Sequence, residues 1–250
     1  MNRVLVLCGS LFLASAGAGG AVVQIPSWMD NTLYQDPAGS VSNGAGAGMF
    51  AGRNALAQNS IRRGLIRFDV GSMVPAGAVI TGATLTLFQA SANVDDQVVS
   101  LHRVLESWGE GTSNATGGGG GGSGAAATPG DATWIHRSFN TTPWSTAGGV
   151  FDPAASASAS VGGNGFYSWS SAALAADVQA FLDDGATNFG WLVRGNESMS
   201  SSAKRFATRE EPSESLRPVL TLEYVVPGSG GVALLGVLGV STGRRRRGAW

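Results

Sequence analysis

Apolar and polar side chains alternate twice between Ile61 and Phe88, in the stretch IRRGLIRFDVGSMVPAGAVITGATLTLF. In its first half Ile66, Phe68 and Val70 alternate with Leu65, Arg67 and Asp69. A period of two places one apolar row on a core and a charged row opposite. In its second half Ala83, Leu85 and Leu87 point one way and Thr84, Thr86 and Phe88 the other. Val74-Pro75-Ala76-Gly77 between them has turn chemistry. Two antiparallel strands with one dry face need a second sheet against them, so the pattern predicts an all-β, antiparallel β-sandwich.

Further strands are predicted over 30–34, 49–53 and 98–105, the last with Val99 and Leu101 inward and Ser100 and His102 outward. An Ala/Ser run over 153–163 reads as a small-residue strand beside a second one at 165–170. Strands at 189–194, 203–209 and 219–225 complete the set, the last with Leu220, Leu222 and Tyr224 on one side. The pattern changes period only once. After Ser170 or Ser171 as a cap, Leu174, Val178, Phe181 and Leu182 recur at helical spacing to about Asp184, and Gly185 stops the run. One short α-helix is therefore expected. Residues 109–131 contain six consecutive glycines and almost no apolar bulk, the composition of a mobile loop insertion within a single domain over 22–225.

The two ends differ from the middle. Residues 1–21 carry Arg3, an apolar run over 4–14 and the small residues Ala16, Ala18 and Ala21, the anatomy of a secretory leader too short for a membrane span. The single cysteine, Cys8, falls inside that run, so a chain cleaved after it has no disulfide and no cysteine metal site. Without Arg3 and the four arginines 244–247 the chain holds 11 basic against 17 acidic side chains, a net of −6. That balance argues against a nucleic-acid partner, because phosphate contacts need clustered Lys and Arg.

The runs RRGLIRFDV, PAGAVITGATLTLF and ESWGEGTSN (106–114), followed by TWIHRSFNTTPWSTAGG, ADVQAFLDDGATNFGWLV, AKRFATRE and RPVLTLEY, cover most of 28–225. Together they resemble the extracellular DNRLRE-type domain, grouped with carbohydrate-binding module family 96. The resemblance implies a jelly-roll-like β-sandwich of a bacterial secreted or cell-surface protein that works on or beside polysaccharide. The tail over 226–250, with Val226-Pro227-Gly228, an apolar segment at 231–240 and Arg244 to Arg247, is similar to PEP-CTERM sorting signals. That similarity implies an exosortase-type membrane protease as a partner.

Catalytic motifs are a poor fit. Neither His102 nor His136 has the spacing of a zinc helix, and the chain has no nucleophile elbow or phosphate loop. A non-catalytic module is the expectation, and two converging carboxylates that cleave polysaccharide are the enzymatic alternative. Binding has more material. Sugar rings stack on aromatic planes while Arg, His and Asn side chains meet the hydroxyls. Trp134, His136 and Arg137 lie close together, with Trp144 after them, and form the candidate carbohydrate site. A Trp in a sandwich is also a core residue, and the row Arg63, Arg67, Asp69 reads more simply as an internal ion pair than as a ligand clamp. Asp30, Asp36 and Asn43 are candidate calcium ligands, with Asx-turn chemistry as the plainer account. A structural matrix protein without a discrete ligand is the remaining alternative.

Overall fold

A computed structural model describes residues 20–92, 96–116 and 121–227. Its elements in order are β1 (Gly20–Tyr34), β2 (Val41–Ser42), β3 (Gly48–Arg53), β4 (Ile61–Phe68), α1 (Val70–Met73), β5 (Val79–Ala92) and β6 (Gln97–Arg103). There follow β7 (Ala125–Ala126), β8 (His136–Ser138), β9 (Thr142–Pro143), β10 (Ala157–Val161), β11 (Gly165–Ser170), α2 (Ala172–Asp183), β12 (Trp191–Arg194), β13 (Lys204–Ala207) and β14 (Val219–Val225). The predicted leader and sorting tail lie outside the described residues except for Gly20, Ala21, Val226 and Pro227.

The chain folds as an antiparallel β-sandwich. In the front layer β5 is the central strand, paired with β11 along one edge and with β14 and then β13 along the other. The back layer runs β4, β12, β6, β10. β1 belongs to both layers: residues 20–26 pair with β14, and from Ser27 onward it pairs with β4, the register shifting between Ser27 and Met29. A bulge at a sheet corner lets one strand serve two sheets. β3 makes a second corner, pairing with β13 and then, at Gly52 and Arg53, with β4.

Between the layers lie Ile66, Phe68, Leu85, Leu87, Val99, Leu101, Trp169, Trp191, Phe206, Leu220 and Leu222, all buried. The Ser171 side chain accepts from Leu174 N and caps α2, which docks Leu174, Val178 and Phe181 onto this core as its periodicity predicts. Among the described residues no helix is long and apolar enough to cross a membrane.

Three expectations change. The row on β4 that should face solvent includes Leu65, which is fully buried. The outer face of the back layer has a second core of Leu33, Leu65, Val104, Trp108, Ala132, Trp144 and Leu192, roofed by the segments after β6 and around β8 and β9. His102 faces the same way and is buried too, its ring nitrogens 2.9 Å from Asp152 O and from Ser100 Oγ. Second, β4 ends at Phe68, because the Asp69 carboxylate accepts from Ser72 N (3.3 Å) and Ser72 Oγ (2.5 Å) and starts the one-turn α1. Third, β10 and β11 are not neighbours in one sheet: β10 extends the back layer beside β6, and β11 edges the front layer beside β5.

The flanks of the glycine run are tied down, contrary to a loose insertion over the whole of 109–131. Ser113 O accepts from Ala45 N at 2.8 Å, Tyr34 donates to Gly121 O at 2.6 Å, and β7 pairs with β2. Residues 117–120 of the run lie outside the described residues.

Lys204, the chain's single lysine, is fully buried on β13 and donates from Nζ to Gly162 O at 3.1 Å. Acetic anhydride should therefore label the native protein at its α-amine and leave Lys204 unmodified until denaturant is added, as read by peptide mass spectrometry. Labelling of Lys204 at equal rates in native and denatured protein would place it at the surface.

Candidate functional site

The segment from Asp131 to Phe151 lies over the second core, and its aromatic side chains divide between support and surface. Thr133 N donates to His136 O at 2.7 Å and Trp144 N to Ile135 O at 3.0 Å, which closes the β8–β9 hairpin on itself. Asn140 takes the left-handed conformation (φ 56°) at its tip.

Trp144 is 5% exposed, and its Nε1 donates to Thr133 O at 2.9 Å. With its N–H satisfied and its ring in the second core it has no face for a sugar, so the candidate carbohydrate site loses it. Trp134 is half-buried against the same core, and the Arg63 guanidinium lies over its ring at 4.8 Å. His136 Nδ1 lies 3.3 Å from Thr133 Oγ1, and its ring meets Phe139 edge-on at 5.8 Å.

Arg137 differs from the other three. It donates from Nη1 to Ser107 O (3.1 Å) and Ser107 Oγ (2.5 Å), and its Nε and Nη2 have no partner among the described residues. Leu105, Pro143 and Phe189 give the apolar lining of a cleft of about 360 Å³, and Arg137, Glu106, Thr142 and Ser145 the polar lining. Leu105 is 49% exposed, an apolar side chain held open at the cleft. The Glu106 carboxylate accepts from Ser145 N at 3.2 Å and from Ser145 Oγ, which fixes its direction. The sequence-predicted residues thus do not converge: Arg137 lines the cleft, Trp134 supports the hairpin and Trp144 is core. Leu105 and Glu106 are not singled out as site residues by the sequence: the predicted strand runs on to Leu105, whereas β6 ends at Arg103, and past that end alternation stops giving direction.

The ion pair expected along β4 exists with another partner. Arg63 donates from Nε and Nη2 to the two Glu197 oxygens at 2.7 and 3.1 Å, and from Nη1 to Gly148 O at 2.8 Å. Arg63 thereby fastens the hairpin segment to the back layer. Arg67 instead lies over the exposed ring of Trp28 at 4.5 Å.

The three candidate calcium ligands also separate. Asp36 closes its own turn, accepting from Ala38 N, Ser40 N and Ser40 Oγ, which is the Asx-turn account. Asn43 is consumed by Gly48 O, to which its Nδ2 donates at 3.0 Å, and by Ala115 N, which donates to its Oδ1 at 2.8 Å. Asp30 meets Glu110 and Glu210, which sequence spacing could not reveal. Burial, reinforced by the neighbouring Glu210 charge and, less strongly, by Glu110, pushes the Asp30 carboxyl well above the usual carboxylate range, against the pull of the Arg209 N–H. Burial likewise raises Glu210.

No protein-family model matches the chain, and no curated protein matches it.

Proposed function

We propose that the domain is a secreted or cell-surface, non-catalytic carbohydrate-binding module whose contact surface is the cleft at Arg137. The observation that carries this reading is a guanidinium anchored through one nitrogen on Ser107, with its remaining donors unpaired among the described residues, beside the open apolar side chain of Leu105. An anchored fork with spare donors binds at little entropic cost. The C–H face of a sugar ring packs on Leu105 and Phe189, its hydroxyls accept from Arg137 and donate to Glu106, and a cleft of about 360 Å³ is within the range of small-ligand sites. The lining holds one carboxylate, Glu106, whereas glycoside cleavage usually uses two flanking the scissile bond, which favours binding over cleavage. The leader and tail read from the sequence support export and sorting by a membrane protease.

An acidic polysaccharide is the preferred class, because arginine grips a carboxylate in bidentate fashion. The net −6 of the chain's middle slows the approach of a polyanion at low salt, so capture should improve as ionic strength rises toward physiological values. On a glycan array the full chain should select one class of saccharide. Arg137→Ala, with unchanged circular dichroism, should lose at least about 1.4 kcal/mol, tenfold in affinity. Arg137→Lys should restore little of it, since an ammonium cannot reproduce the fork. Undiminished binding by Arg137→Ala would move the site elsewhere. A folded wild-type chain that binds no glycan would leave a structural matrix protein in its place.

A further inference from the structure

Asp30 lies in the second half of β1 with its side chain wholly buried. Glu110, on the segment beyond β6, and Glu210, just after β13, converge on it. One carboxylate oxygen of each residue lies within 4.8 Å of one from each of the others. The guanidinium paired with this group is Arg209, which donates from Nε and Nη2 to the two Glu110 oxygens at 2.8 and 2.7 Å and holds Nε 2.9 Å from Glu210 Oε1. When all three carboxyls are ionised, as a bound cation would make them, they outnumber the one guanidinium that pairs with them by two charges, the charge of one divalent cation.

The hydrogen bonds are as uneven as the charges. Asp30 Oδ2 accepts from Arg209 N at 2.9 Å, and Glu110 Oε1 accepts from Asp30 N at 2.8 Å. Asp30 Oδ1 and Glu210 Oε2 are buried and have no hydrogen-bond partner among the described residues. A buried carboxylate oxygen without a donor is among the most costly unsatisfied polar atoms, and folded chains rarely keep two in one place without a proton, a water or an ion to satisfy them. There is also a way in. Glu210 lines a cleft of about 480 Å³ together with Asn43, Asn114, Thr116 and Arg205, whose Nη2 donates to Ala47 O at 2.9 Å.

We infer that Asp30, Glu110 and Glu210 form a site for a divalent cation of calcium's class, entered from the cleft beside Glu210, in which the ion takes the oxygens that lack donors. The donor set is all oxygen, with no nitrogen or sulfur to favour zinc or copper. Calcium bonds oxygen at about 2.3–2.6 Å, so ligands on opposite sides of one ion stand up to about 5 Å apart, a span that accommodates this group. Cleft water and neighbouring oxygens complete a shell of about six to eight. Arg209 keeps Glu110 directed toward the group. The ion would clamp three segments 80 and 100 residues apart in sequence, joining the β1 corner to the ends of β6 and β13.

The test uses the full chain stripped with EDTA and dialysed, its thermal midpoint read against added CaCl2 at constant ionic strength, with NaCl as the control. Calcium at about 10 mM lies well above the weakest dissociation constants of extracellular calcium modules and should raise the midpoint by about 3 °C or more. Glu210→Gln and Asp30→Asn keep the side-chain shape, remove a charge and should each abolish the calcium-dependent rise. Both variants should also bind no calcium in isothermal titration. A wild-type midpoint and titration heat that calcium leaves unchanged would overturn the site, as would a full calcium response retained by both variants.

Discussion

Replacing Trp191 with alanine should destabilise the domain by about 3–5 kcal/mol, read as a lower urea midpoint at unchanged slope. Trp191 is 1% exposed on β12, in the main core. Its ring meets Phe181 of α2 edge-on at 5.2 Å and Phe68 of β4 at 6.3 Å. Its Nε1 also donates to Asp177 Oδ2 on α2 at 2.9 Å. Truncation therefore opens a cavity between helix and sheet and takes a donor from a carboxylate at the same time. Trp191→Phe separates the two effects. It retains much of the apolar volume and removes the N–H, so its cost should be near the about 1.5–3 kcal/mol of a hydrogen bond to a charged group. Asp177 Oδ2 keeps Ser156 Oγ as a donor at 2.5 Å, which holds that cost toward the lower end. A loss under about 1 kcal/mol for Trp191→Ala would place the residue outside the core.

Trp191 also marks where the sequence was informative and where it was not. Alternation along β4, β5 and β14 gave their inner rows correctly, because pleat and burial obey the same period of two. The helical face of Leu174, Val178 and Phe181 was legible for the equivalent reason at a period of 3.6. Alternation failed at Leu65 and His102, whose outward face is roofed by a hairpin that contacts β4 only in three dimensions. Nothing local in LIRFDV announces a second core. Trp134 and Trp144 looked alike in sequence, and their difference depends on whether the Thr133 carbonyl or the Arg63 guanidinium meets the indole. The Asp30 group shows the same limit in a sharper form. A carboxylate in a strand that is apolar beyond it, at Leu33 and Tyr34, was a signal that something must neutralise it. Which residues do so depends on pairings of β1, β3 and β13 that put segments far apart in sequence side by side.

Glu197→Gln should cost about 3 kcal/mol at pH 7, the range for breaking a buried ion pair by removing one partner. The Arg63 and Glu197 side chains are 14% and 12% exposed, so the guanidinium cannot recover in water what it loses in the pair. Arg194, 41% exposed, adds a weaker contact to Glu197 Oε2 at 3.3 Å. The pH dependence identifies the carboxylate as the source. Burial by itself raises the Glu197 carboxyl, but the hydrogen bonds and charge of Arg63, followed by those of Arg194, outweigh it and hold the group below the ordinary 4.5. A folded-state value under the unfolded one means that the stabilisation is fully present above about pH 4.5 and is lost as pH falls through the depressed value. The wild-type chain should therefore lose stability below pH 4.5 more steeply than Glu197→Gln, and the gap between them should close as pH falls through the depressed value. A gap that stays constant from pH 7 to 3 would mean that glutamine fails through shape rather than charge. Because Arg63 also donates to Gly148 O and lies over Trp134, the variant should loosen the segment that carries Arg137. Amide exchange over 131–149 should accelerate in Glu197→Gln at pH 7, while exchange in β14, which pairs with β1 and β5 in the front layer, stays at the wild-type rate.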